Sequence, residues 1–406
     1  MNGLRNFVDK IKPTFEKGGK LGFLHSTFDA FETFLFVPNT VTRKGSHVRD
    51  CVDLKRVMIM VVLALVPAML FGIWNVGYQH KLAFGLADWG FWNIVLYGLV
   101  KVLPLYIVAY LVGLGIEFVS AQIQGHEVNE GYLVSGMLIP LIVPVDVPLW
   151  MLAIAVAFAV IIGKEVFGGT GMNIWNPALL TRAFLFFSYP SKMSGSTVWT
   201  GGVERFVNEG VAFQAGNGLV DGFSGATPLA DPTLANLQPK LWDMIVGTIP
   251  GSVGETSVIA ILLGAILLIW TGVASWKIMV SSVLGGLAIG YLGYAVGATD
   301  LPGYYQLVMG GFLFGTVFMA TDPVTSAQTE CGKWPLQMSL SITPASQSRL
   351  SLVSISDAFR LITGFLFPTD YSLLMSKQGM FINNCTQQLL HRVIIDSRQN
   401  HGFGGL

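Results

Sequence analysis

Charge is what this 406-residue chain has least of: 12% of its residues are Asp, Glu, Lys or Arg, against about 25% in soluble domains. With 52% hydrophobic residues and a mean hydropathy of +0.59, that scarcity excludes a soluble enzyme and a disordered segment. The 24 basic and 24 acidic residues cancel, so the chain lacks the electrostatic footprint of a nucleic-acid binder. Cysteine is nearly absent too. Cys51, Cys331 and Cys385 lie too far apart for a disulfide framework or a metal-ligand spacing. No short apolar run in the first 56 residues ends in a small-residue cleavage site, so no signal peptide is expected. What remains is an all-α polytopic membrane protein.

Gaps between charges locate the spans. Residues 57–80, 256–276, 278–299 and 301–321 carry no Asp, Glu, Lys or Arg, and a bilayer core needs ~20 such residues as helix. Residues 93–123 are also long enough, although Lys101, Pro104 and Glu117 fall inside. Two shorter runs, 131–145 and 147–163, are separated by Asp146 and flanked by Pro140, Pro144 and Pro148. A last piece, Asn176 to Tyr189, carries Arg182 near its middle. About eight apolar segments result, several short and interrupted by Gly or Pro.

Lys and Arg near the spans set the orientation. Arg43, Lys44, Arg49, Lys55 and Arg56 crowd the approach to the first span, which puts the N-terminus in the cytoplasm. Counting crossings then places the 122–130 and 164–175 loops inside and the long 190–257 segment outside, with the Lys277 turn inside again. The outer segment is rich in Gly, Ser and Thr and too long for a passive connection. The expected division is an N-terminal arm (1–56), a first membrane repeat (57–189), an outer loop (190–257), a second, incomplete repeat (258–334) and a polar tail (335–406).

The repeat shows as two strings at matched spacing, Gly131-Tyr-Leu-Val-Ser-Gly136 ending at Pro144-Val145 and Gly310-Gly-Phe-Leu-Phe-Gly315 ending at Pro323-Val324. Paired, Gly/Pro-interrupted segments are a habit of inverted-repeat membrane proteins; two ordinary packing helices with small contact residues would look much the same. After the first copy more apolar segments follow. After the second, residues 335–406 hold ten serines and scattered arginines, and their best apolar stretch, Phe359 to Pro368, is too short to span. An extramembrane extension or a shift of reading frame near Trp334 accounts for this; the second explains why the repeat breaks off.

The outer loop holds Asp221-Gly-Phe-Ser224-Gly225-Ala226-Thr227-Pro228. Small residues bracket a threonine hydroxyl, so a bulky group could approach the backbone closely, although most such strings are plain surface turns. Here the sequence resembles a known family. Ser224-Gly-Ala-Thr227 is similar to the flavinylation motif of the membrane subunits of the sodium-pumping NADH:quinone oxidoreductase and of the related Rnf complex. Further strings resemble the B-type subunits of the sodium-pumping branch. They are Ser46-His-Val-Arg-Asp-Cys-Val-Asp-Leu-Lys-Arg56, Gly125-His-Glu-Val-Asn-Glu-Gly131, Lys164-Glu-Val-Phe-Gly-Gly-Thr-Gly-Met-Asn173-Ile-Trp-Asn176-Pro-Ala, Ile249-Pro-Gly-Ser-Val-Gly-Glu255 and Met319-Ala-Thr-Asp-Pro-Val324. The resemblance runs to about Trp334. Beyond it the family continues with two more spans, including a second Asn-Pro-Ala segment, and a basic tail, none of which this sequence has.

The resemblance implies FMN joined to Thr227 as a phosphoester by a separate flavin transferase, which Asp221 helps to recognise the motif. It also implies a non-covalent riboflavin, to which Asn173 and Asn176 are assigned. From the residues alone, Asn176 before Pro177 equally fits a helix N-cap. Glu117 is a carboxylate within an apolar run, a functional hypothesis by default; it could bind the coupling ion, line a quinone pocket, or lie in the interfacial zone. Lys101 is expected to snorkel. On the repeat helices Val134, Met137 and Leu141 share one face, and Phe314 and Phe318 stand four apart on the other copy. Such faces could meet as an apolar constriction gating an ion path, or be plain core packing. Phe28, Phe31 and Phe34 of the arm could touch quinone or anchor on the bilayer.

Taken together, the resemblance implies one subunit of a six-subunit complex in the bacterial inner membrane. Electrons from NADH, oxidised by partner subunits, would pass through FMN and riboflavin to ubiquinone, coupled to Na+ export. The rivals are an Rnf subunit, which would share the flavin but not the quinone, and a cofactor-free secondary transporter.

Overall fold

The computed structural model describes residues 8, 10–13, 15, 28, 32, 45–46, 54–124, 131–173, 175–195, 197–203, 219–220, 225–228, 241–295, 302–326, 329–330 and 333–334. Among these every regular element is helical, as the composition requires of a chain spanning a bilayer. Residues 335–406, and with them the Phe359 to Pro368 stretch, lie outside the described residues.

Helix α1 (Leu54–Ala83) includes Lys55 and Arg56 at its start and carries no Asp, Glu, Lys or Arg between Arg56 and Lys81, with His80 and Lys81 in its last turn. Helix α2 (Phe91–Gln124) runs through Pro104 and is apolar on both faces. Its buried stripe is Ile94, Gly98, Val102, Leu105, Ala109, Gly113, Glu117 and Ala121. Trp92, Leu96, Val100, Leu103, Ile107 and Leu111 stand exposed on the other side. Both stripes follow the 3.6-residue period, so the exposed one is an apolar outer face of the helix. Hydrocarbon gives no hydrophobic drive for helix association, which leaves close packing to hold α1 and α2 together. A Cβ placed on Gly77 would stand 2.0 Å from the Ile94 carbonyl, and one on Gly98 would stand 1.8 Å from the Ile73 carbonyl. Only glycine permits this crossing.

Helix α3 (Tyr132–Ile142) carries most of the first of the two matched glycine strings. Two tyrosines clasp it to α2: Tyr132 Oη donates to the Ala109 carbonyl at 2.9 Å, and Tyr110 Oη donates to the Leu133 carbonyl at 2.8 Å. Helix α4 (Leu149–Gly163) follows, extended by a 3-10 turn at Glu165–Phe167, and packs against α2 and α5 (Pro177–Ser188). After a short α6 (Leu241–Val246), α7 (Val258–Trp270) returns against α1, and α8 (Trp276–Ala295) follows.

Among the described residues, three stretches are long and apolar enough to cross a membrane: Arg56–Ala83, Phe91–Gln124 and Leu149–Phe167. Two of the charge-free runs become something shorter than the charge count suggests. Within 256–276, Ser257 accepts from the Ala260 N–H as N-cap and Gly272 turns the chain at φ +72°, so α7 has 13 residues. Within 301–321 there is no single helix. Gly310, at φ +66°, separates α9 (Gly303–Val308) from α10 (Phe312–Phe314), which runs into a π-turn at Gly315–Met319. A gap between charges does not register a glycine pair.

Candidate functional site

Helix α3, the π-turn at Gly315–Met319 with the residues after it, and the loop after α4 border a cavity of about 70 Å³. Val134 and Leu138 of α3, Leu268 of α7 and Phe318 of the π-turn form apolar walls; Lys164, Thr170, Asn173, Asn176 and Asp322 supply polar groups. Apolar walls with a few placed polar groups are the usual make-up of a small-molecule site. Asn176 is both an N-cap and a cavity residue: its Oδ1 accepts from the Ala178 N–H at 2.9 Å, and its Nδ2 donates to Asp322 Oδ2 at 3.2 Å. Asp322 is itself held by the Val324 N–H and the Thr325 hydroxyl. Asn173 donates to the Trp175 carbonyl at 3.1 Å, and its Oδ1 accepts nothing among the described residues.

Behind this cavity, Lys164 donates to Glu117 at 2.5 Å, with the side chains 4% and 5% exposed, and the Thr170 hydroxyl donates to the same carboxylate oxygen at 3.3 Å. Glu117 therefore sits on the inner face of α2, turned toward the end of α4. Its Oε2 has no partner among the described residues. Two charges so deeply desolvated are held by each other, and removing one partner costs ~3–5 kcal/mol.

The expected apolar stripe is real packing, and part of it converges. The Gly254 N–H donates to the Leu141 carbonyl at 2.8 Å. A Cβ on Gly254 would meet Leu141 Cβ at 2.8 Å and the Phe314 ring at 2.9 Å. Phe314 and Phe318 lie 5.0 Å apart between ring centroids. Val134 and Phe318 line the cavity, Leu141 and Phe314 meet at Gly254, and Met137 is buried in the surrounding core.

Thr227 is half-buried between buried Ala226 and Pro228, with Gly225 buried before them; Asp221 and Ser224 lie outside the described residues. Of the arm's aromatics, Phe28 stacks on Phe15 at 4.8 Å, and Phe31 and Phe34 lie outside the described residues. Lys101 does not snorkel. It donates to Asp146 at 2.8 Å, and the same carboxylate accepts the Gly202 N–H. A Lys within a span and an Asp between two prolines signal such a pair only once the helices are folded together. The pair that sequence reasoning passed over altogether is Arg182 of α5 with Glu255, 4.0 Å apart and each 6% exposed. Both were visible as charges beside apolar runs.

Fold and site together define a helical, polytopic membrane protein with a small, mainly apolar cavity that a few polar and charged groups also line. Residues 41–342 match the NQR2, RnfD, RnfE family, and the chain belongs to it. It is 43% identical over 365 residues to the B-type subunit of the Na(+)-translocating NADH-quinone reductase of Pseudomonas paraeruginosa, covering 82% of this chain and 86% of that protein. The corresponding subunits from Stutzerimonas stutzeri and Azotobacter vinelandii are 42% and 40% identical, with the same coverage.

Proposed function

We propose that this chain is the membrane subunit of a redox-driven sodium pump of the bacterial inner membrane. Partner subunits of a six-subunit complex oxidise NADH, and ubiquinone is the final acceptor. FMN is held on Thr227 as a phosphoester installed by a flavin transferase, and riboflavin is held non-covalently at Asn173 and Asn176. The observation that carries this reading is the Ser224-Gly-Ala-Thr227 string within the family-matched segment. The partial exposure of Thr227, with buried neighbours holding its backbone, supports it.

The polar groups near the cavity are of the kind a flavin ring would use, but at about 70 Å³ the cavity is smaller than a ligand pocket of ~300–1,000 Å³ and would have to widen to admit the ring. Asn173 Oδ1 is open to a ring N–H, and the aliphatic walls suit an aromatic face. Bound flavins supply electron carriage that no side chain here can. The chain's own part is to position them, exclude water and conduct the ion. In this reading Glu117 lies on the ion path, and Val134, Met137, Leu141, Phe314 and Phe318 form its apolar stretch.

The test is in-gel flavin fluorescence of the denatured chain, made with the transferase co-expressed, beside Thr227→Val. A fluorescent parent band and a dark variant are expected. A dark parent alongside a bright control substrate, or a variant as bright as the parent, overturns the attachment.

A further inference from the structure

Connecting segments run over protein surfaces, yet the loop that carries Thr227 is sunk into the helices at its base. Residues 198–203 are buried throughout. His80 Nδ1–H donates to the Gly201 carbonyl at 2.7 Å, and the Gly202 N–H donates to Asp146. Val220 returns to the same end of α1: its N–H donates to the Ala83 carbonyl at 2.9 Å. Val203 and Leu219, from the two sides of the loop, pack with Ala83 and Phe84 in one apolar cluster. A Cβ on Gly85 would stand 3.2 Å from Val220 Cγ2. The base of the loop is therefore closed on the end of α1.

Thr227 stands seven residues beyond Val220, and its surroundings are closed too. Ala226 is 7% exposed, Gly225 and Pro228 are buried, and Thr227 itself is half-buried. Attachment of FMN makes a different demand on this segment. The threonine oxygen attacks the flavin-side phosphorus of a flavin dinucleotide. Its O–P bond forms as the pyrophosphate bond breaks, AMP leaves with the electron pair, and the hydroxyl proton passes to a base of the transferase. Entering and leaving oxygens stand in line across the phosphorus, so nucleotide and enzyme must both surround the hydroxyl. An enzyme that reads a short motif also takes it extended, with main chain and flanking side chains inside its cleft. Buried neighbours on both sides of Thr227 deny that grip.

We propose that the flavin is attached before this loop docks: the transferase acts while Gly225 to Pro228 still stand off the helices, and closure of the loop base on Ala83 and Phe84 ends its access. The proposal rests on the reading of Thr227 as the attachment site and makes loading a step of assembly. A complex assembled without the transferase is reached only through local opening of the docked loop. Its loading rate falls by the fraction of time the loop is open.

The test follows in-gel flavin fluorescence of the denatured chain in two preparations of the whole complex. In one, the transferase is made together with the complex. In the other, the complex is purified from cells lacking the transferase and then mixed with transferase and flavin dinucleotide. The first is fluorescent when isolated. The second gains fluorescence at least tenfold more slowly than a Phe84→Ala complex treated in the same way, because the smaller side chain loosens the loop base. Equal rates in parent and Phe84→Ala overturn the proposal. If Phe84→Ala does not assemble, amide exchange of the parent complex made without transferase decides. Gly225, Ala226 and Thr227 then exchange at least tenfold more slowly than in the same chain unfolded in urea, and unprotected exchange there overturns the proposal. A dark chain in the first preparation, beside a bright control substrate, removes the attachment and the order with it. A bright chain with equal loading rates removes the order alone.

Discussion

A carboxylate in the middle of an apolar helix face must find a cation or give up its charge. Glu117 finds Lys164, 47 residues away in sequence, on the turn that closes α4. Lys164→Met therefore strands a buried carboxylate and lowers the unfolding free energy of the complex by ~3–5 kcal/mol. Glu117→Gln/Lys164→Met recovers most of that loss, because a double neutral replacement leaves nothing unpaired. Thermal unfolding of the two variants beside the parent measures it, and equal losses would show that the pair is not coupled. Glu117 was legible in the sequence as a costly residue in an apolar run, but its partner was not. Nothing local in the sequence links Lys164, at the head of the 164–175 loop, to Glu117; packing of α4 on α2 brings the two together. Asn176 shows the opposite: its cap was readable from the Asn-Pro order, and the cap and the cavity role use different atoms of one amide.

At the level of elements, α1 was legible because uninterrupted apolar length is a local property; α2 was legible despite Lys101, Pro104 and Glu117 inside it, and α4 as a shorter apolar run. The second repeat was less so. The charge-free run 301–321 hides a break set by Gly310 and Gly311, where backbone conformation and not polarity ends the helix. The α1–α2 crossing depends on glycines that composition alone marks as unremarkable. Gly98→Ala inserts a methyl where the Ile73 carbonyl stands, and two backbones cannot yield as a side-chain tip can. A loss at or above the ~1–3 kcal/mol typical of overpacked cores is expected, read as a lower unfolding midpoint of the complex in detergent. Gly115→Ala on the same helix, where nothing lies within 4 Å, is expected to match the parent.

Across the whole molecule, long-range polar ties hold the loops to the helices. Asp146 joins three separate parts of the chain: Lys101 of α2, the turn between α3 and α4, and the Gly202 N–H beyond α5. Asp146→Asn weakens both contacts by removing the charge that makes them strong, ~1.5–3 kcal/mol for a hydrogen bond to an ionised group. The amides of Gly201 to Val203 then exchange with deuterium at least tenfold faster, while those of α1 do not change. Uniform exchange rates in parent and variant would place the restraint elsewhere. No sequence pattern predicted this junction, since it links residues up to 101 positions apart.

Three of the helices meeting at the centre, α3, α5 and α7, have only 11, 12 and 13 residues, about 16–20 Å each, against a hydrocarbon thickness of ~30 Å. A voltage falls mostly across dry material, and moving one elementary charge through 100 mV is worth ~2.3 kcal/mol. On the path proposed above, short helices would concentrate the membrane field on the Leu141–Gly254–Phe314 contact, so a charge passing Phe314 would do most of its electrical work in a few ångströms.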